Sequence, residues 1–237
     1  MDRFFSQLAL QLHLTSDGSF ADLIGLITAG TFETLYMTLV STLFAYLLGI
    51  PIGIFLTLTD KQGLCPNRPV YRVLDVSCNL LRSVPFIILL VVIIPFTRFL
   101  VGKSYGSTAT IVPLVISAAP FVGRMVESSL KEVDRGVVEA AESMGASIRQ
   151  IIFKVLLPEA RTSLLIGVTI TVGTILGYSA MAGAVGGGGL GDIAIRYGYH
   201  RYEMSIMLVT LVLLVGIAQI LQTTGMKLAA KFDRRQR

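Results

Sequence analysis

A chain of 237 residues with 53% hydrophobic and only 15% charged side chains carries more apolar surface than one soluble core can bury. Soluble domains hold about 25% charged residues, and the mean hydropathy here is +0.73, which leaves lipid as the solvent. The net charge of +5 does not mark a nucleic-acid binder, because the lysines and arginines flank apolar stretches and form no patch interleaved with aromatics.

The first 29 residues are broken by Asp2, Asp17 and Asp22 and make a poor signal peptide. Phe4, Phe5, Leu8 and Leu12 have helical spacing, which predicts an amphipathic helix on the outer surface. Residues 30–226 then hold five stretches without Asp, Glu, Lys or Arg: Thr34–Thr59, Ser83–Thr97, Ser104–Gly123, Thr162–Gly191 and Met204–Met226. A spanning helix needs roughly 20 residues, so four qualify directly. Ser83–Thr97 is short and reaches length by extending back to Val76, with Arg82 inside one end and snorkelling to the headgroups; a re-entrant segment is the alternative. The expected fold is all-α and integral to the membrane, with five transmembrane helices. Prolines 51, 85, 95, 113 and 120 fall within or beside the spans, where neighbouring helices can satisfy the freed backbone groups.

Five spans place the termini on opposite sides. Fifteen lysines and arginines fall on one side, including those of the basic tail 227–237, and five on the other, so the C-terminus is expected in the cytoplasm and the N-terminus outside. Cys65 and Cys78 lack metal-ligand spacing and read as free thiols. No zinc-protease, nucleophile-elbow or Walker A pattern occurs, so the chain is expected not to be an enzyme, to bind no cofactor itself and to take energy from elsewhere.

The longest cytoplasmic loop, about 127–159, lies between spans 3 and 4. Val137, Ala141, Met144, Ile148, Ile151, Ile152 and Val155 recur with helical period, interrupted at Gly145. Ser147 and Gln150 have capping-box spacing. The pattern predicts a short helix closing near Gly145, a second starting at Ser147, and a turn at Pro158 into the fourth span.

Glu139-Ala140-Ala141, then Gly145, then Val155 and Leu157-Pro158 resemble the EAA motif of ABC importer permeases, which most often has isoleucine where Val155 stands. The resemblance implies a coupling helix seated in a groove of a separate ATPase subunit. Ala140, Ala141 and Gly145 would permit close approach, and Glu139 and Glu142 would offer carboxylates. From about Gly30 onward the chain is similar to permease subunits of bacterial methionine importers. The matching stretches are Arg82–Leu90, Ile94–Arg98, Ala118–Phe121, Arg124–Glu127 and Gly177–Met181 with the glycine run Gly186–Gly189, Leu190 and Gly191. That family implies a homodimer, two ATPase subunits that hydrolyse ATP, and an external substrate-binding lipoprotein delivering methionine.

Tyr178, Ser179 and Met181 are candidate pathway residues. One methionine from each subunit at a two-fold axis would seal a passage against water, whereas packing between helices is the plainer role. The glycine run is expected to form a flexible loop near the outer face. Competing functions are a permease for another amino acid or small organic solute, and a passive channel without an ATPase. A membrane enzyme lacks clustered ionisable groups within the spans.

Overall fold

The computed structural model describes residues 20–232, so the predicted amphipathic helix at residues 4–12 and the last five residues of the tail lie outside the described residues. No strand occurs among the described residues. Helix α1 runs unbroken from Phe20 to Thr59 through Pro51. Residues 20–29, expected to belong to a leading segment, are therefore part of the first helix. At 40 residues and 1.5 Å per residue, α1 is about 60 Å long, twice the hydrocarbon thickness. Three of its buried threonines donate locally: Thr34, Thr38 and Thr42 give their hydroxyls to the carbonyls of Gly30, Thr34 and Thr38 at 2.9, 2.8 and 2.7 Å.

The second span differs from expectation. It is not one helix from Val76 to Thr97. Helix α2 (Arg68–Ser83) and α3 (Phe86–Val92) meet at a 100° bend, and α4 (Ile94–Val101) follows. Pro85 has no N–H and its ring disfavours helical geometry at the preceding residue; Val84 is accordingly extended, at φ −77° and ψ 124°. Helix α5 (Ser107–Lys131) is continuous through Pro113 and Pro120.

Close packing fixes the direction of each crossing. A Cβ on Gly49 would meet Val122 at 2.5 Å, and one on Gly53 would meet Val126 at 2.5 Å. The two glycines, four apart on one face of α1, let its backbone lie against α5. Numbers rise together along both helices, so α1 and α5 run parallel. A chain that makes two parallel neighbouring passes must cross back between them, and α2–α4 make that return. The remaining long helices are α8 (Arg161–Ala182) and α10 (Met204–Phe232). Ser129 meets Ser163 at 2.9 Å, and a Cβ on Gly167 would approach Met125, so α8 is antiparallel to α5. A Cβ on Gly225 would strike Thr169, and Thr162 donates to the Phe232 carbonyl at 3.4 Å, so α10 is antiparallel to α8. Among the described residues four helices are long and apolar enough to span, and the bent pair, counted as one span, makes a fifth.

The glycine run is not a free loop. A 3-10 turn, Gly183–Val185, precedes it, and helix resumes as α9 (Gly189–Ile193) with a π-helical continuation, Ala194–Tyr199. The Gly189 N–H donates to the Glu33 carboxylate at 2.7 Å and the Leu190 N–H to the Thr34 hydroxyl at 2.9 Å. Thr110 donates to the Gly187 carbonyl at 3.1 Å. Side chains of α1 and α5 thus hold the crossing in place. Apart from a smaller cluster of Leu23, Leu190, Ile193 and Ile206, the larger core runs from Met37, Leu114 and Ala118 down to Leu130, Ala141, Ile151 and Leu156. It passes without a break from the spanning helices into the 127–159 loop.

Candidate coupling surface and passage face

Helix α6 (Arg135–Ser143) begins where the Asp134 carboxylate accepts from the Gly136 N–H at 2.6 Å. It ends in a Schellman turn. The Ala146 N–H reaches the Ala141 carbonyl at 3.1 Å and the Gly145 N–H reaches that of Glu142 at 2.8 Å. This closure needs a left-handed residue, and Gly145 has φ +77°. Helix α7 then starts at Ile148 under the capping box of Ser147 and Gln150, runs through a π-helical stretch, Ile151–Leu156, and ends at Leu157–Glu159.

The periodic apolar residues of this loop divide between two jobs. Ala141, Ile151 and Ile152 are buried in the core, whereas Val137, Met144 and Ile148 are 44%, 82% and 41% exposed. Of the residues expected to couple, Ala141 is buried and Leu157 half-buried; Glu139, Ala140, Glu142, Gly145 and Pro158 are open. Glu139 and Glu142 line a cleft of about 510 Å³ between α6 and the turn after α1, whose other walls include Asp60, Lys61, Lys131 and Arg135. Met144 and Val137 stand beyond it, so the exposed surface combines carboxylates with unpartnered apolar groups.

Beside this surface lies an ionic cluster that sequence reasoning did not single out. The Glu127 side chain is 6% exposed and accepts from Arg124 at 2.7 Å and Lys131 at 2.8 Å. Arg124 also pairs with Asp75 and donates to Asn79 at 3.2 Å. Lys131 also reaches Asp60 at 2.8 Å, and the Tyr71 hydroxyl donates to Glu127 at 3.4 Å. The cluster ties α2 and the end of α1 to α5 just above α6. Lys131, by its hydrogen bond, holds the Asp60 carboxyl below the usual carboxylate range. The signal was the spacing Arg124, Glu127, Lys131 on one helix face. Its partners lie some 50 to 70 residues away in the chain and could not be read from it.

At the other end of α8, the three candidate pathway residues separate. Met181 is 53% exposed. It shares an open stripe with Ile170, Gly177 and Ala184, at helical spacing. Tyr178 is half-buried, its ring stacked on Phe86 at 4.6 Å between centroids. Ser179 is 1% exposed and donates to the Leu176 carbonyl at 2.8 Å, so it turns into the protomer and away from the stripe.

Residues 49–234 match the family of binding-protein-dependent transport system inner membrane components. The chain belongs to that family. The permease is 51% identical to a probable D-methionine transport system permease of Vibrio cholerae, over 98% of this chain and 99% of the relative. It is 45% identical to a methionine import system permease of Bacillus subtilis, over 86% of this chain and 92% of that one. Its fold superimposes on a chain of an inward-facing methionine ABC transporter with TM-score 0.89 at 46% identity, covering 92% of the permease and all of that chain. The permease is thus a multi-pass component of a bacterial inner membrane, and the EAA-like stretch falls on the exposed α6–α7 surface.

Proposed function

We propose that this chain is the membrane-spanning permease of an ATP-driven methionine importer, working as a homodimer with two ATPase subunits at its cytoplasmic face and a substrate-binding lipoprotein outside. It binds no cofactor and is no enzyme; the partner subunits hydrolyse the ATP. The observation that carries this reading is the pairing of an outward surface on α6, open at Glu139, Glu142 and Met144, with an inward one at Ala141 continuous with the bundle core. Such an element transmits rigid-body motion, because packed cores shift between discrete arrangements and do not stretch. A passive channel would have no use for it. The names of the relatives support methionine. The test is uptake of labelled methionine at low concentration by a methionine-requiring strain lacking this chain. Uptake is expected to fail, and to return with the wild-type chain. Unchanged methionine uptake with a loss for another amino acid would leave the importer and remove the substrate.

Orientation rests on the fifteen-to-five charge asymmetry. A reporter fused after Arg237 is expected to read cytoplasm and one inserted at residues 102–104 to read outside. A cytoplasmic signal from the second would sink the five-crossing arrangement.

In the dimer, the Ile170–Met181 stripe of each copy faces the passage and Met181 seals it. Met181→Gly is expected to leak small solutes from reconstituted vesicles, and Met181→Leu to stay tight because the swap conserves volume. Equal tightness of the glycine variant and the parent would reduce Met181 to packing.

A further inference from the structure

Arg82 stands apart from every other cation near it. Sequence reasoning places it at the headgroups, but α2 climbs antiparallel along α5: Tyr71 meets Glu127, Asp75 meets Arg124, and the Arg82 guanidinium lies 5.8 Å from the Phe121 ring. Phe121 is close to the midpoint of the helix Ser107–Lys131 and about 15 Å from its Lys131 end, at 1.5 Å per residue. Arg82 therefore lies beside the inner end of the apolar stretch Ser104–Gly123, about one turn above Arg124. It makes no salt bridge among the described residues, and it lies over the face of the Phe121 ring. The carboxylates below it are taken up by Arg124 and Lys131.

A charge at this depth faces a water-filled path or a bundle interior, not lipid. The local geometry points to the path. Arg82 is exposed, as are Asn79 and Ser83 beside it. Just past the bend, Phe86 seats the segment on Tyr178 of α8, next to Gly177 and Met181 of the open stripe. The break at Val84–Pro85 thus delivers an unpaired guanidinium to the proposed passage.

We infer that Arg82 is a transient binding group for the carboxylate of the transported amino acid, held at the bend of the second span below the Met181 seal. A guanidinium fork matches a carboxylate in plane and charge. The cation–π contact with Phe121 holds it without neutralising it, so a passing anionic group can be met and released. This rests on the importer reading above.

The test uses the whole complex, with its ATPase and binding protein, in proteoliposomes, in a Cys65→Ala, Cys78→Ala background. Arg82→Cys is expected to lower ATP-driven methionine uptake at least roughly tenfold, the scale of one lost charge-assisted hydrogen bond. A cationic thiol reagent should restore uptake and an anionic reagent of equal size should not. Arg82→Lys should transport, while an assembled Arg82→Gln complex should not. Parental uptake by Arg82→Cys, equal effects of the two reagents, no reaction with either, or equal loss in the lysine and glutamine variants would each overturn the assignment. If the parent carries a different carboxylate-bearing solute, methionine fails as substrate while the same variants, read on that solute, still decide Arg82.

Discussion

Gly145→Leu is expected to abolish ATP-driven uptake while the chain still inserts and folds. A Cβ at this position meets nothing within 4 Å, so it makes no clash with the bundle. The cost lies in the backbone. At φ +77° an L-residue with a Cβ pays about 1–2 kcal/mol, and a branched leucine has no side-chain acceptor to offset it. The Schellman turn would open, α6 would lose its two closing hydrogen bonds, and Glu139, Glu142 and Met144 would no longer hold one geometry. Gly145→Asn, which tolerates the left-handed region better, should retain more transport than leucine. The measurement is ATP hydrolysis and uptake side by side in reconstituted vesicles. Hydrolysis without uptake fits a loosened coupling element; normal uptake by Gly145→Leu would sink the coupling role of the turn.

Glu127→Leu is expected to be the most destabilising single change in the ionic cluster. Glu127 is buried and is the acceptor shared by Arg124, Lys131 and Tyr71. Removing one member of a buried charged group costs about 3–5 kcal/mol, because its partners stay desolvated. Arg124 and Lys131 keep Asp75 and Asp60, which places the loss near the lower figure, about 3 kcal/mol. Glu127→Gln keeps the shape and an acceptor and should lose less. Thermal unfolding of the detergent-solubilised complex is the readout. A Glu127→Leu complex as stable as the parent would mean that the cluster is decoration on an already rigid joint.

What the sequence by itself determined is the part governed by local rules and by solvent. Hydropathy and length required an all-α membrane bundle, because uninterrupted apolar stretches of about 20 residues or more fit a spanning helix and not the short alternating strands of a barrel. Lysine and arginine placement marked one face as basic. The Gly145 stop and the Ser147–Gln150 box were legible because caps are formed by residues within a few positions of each other. The EAA-like spacing was legible too, and it falls on the exposed α6–α7 surface. Tertiary structure alone decided the rest. That Ala141 is buried and Val137 exposed depends on where α7 packs, not on their period. Glu127 became a buried hub only when α2 and the end of α1 brought it Tyr71, Asp75 and Asp60. The glycine run became a fixed crossing because Glu33 and Thr34, some 150 residues earlier in the chain, supply its acceptors. Arg82 came to lie over the Phe121 ring because the antiparallel climb along α5 put it there, and no pattern along one strand of sequence encodes the angle between two helices.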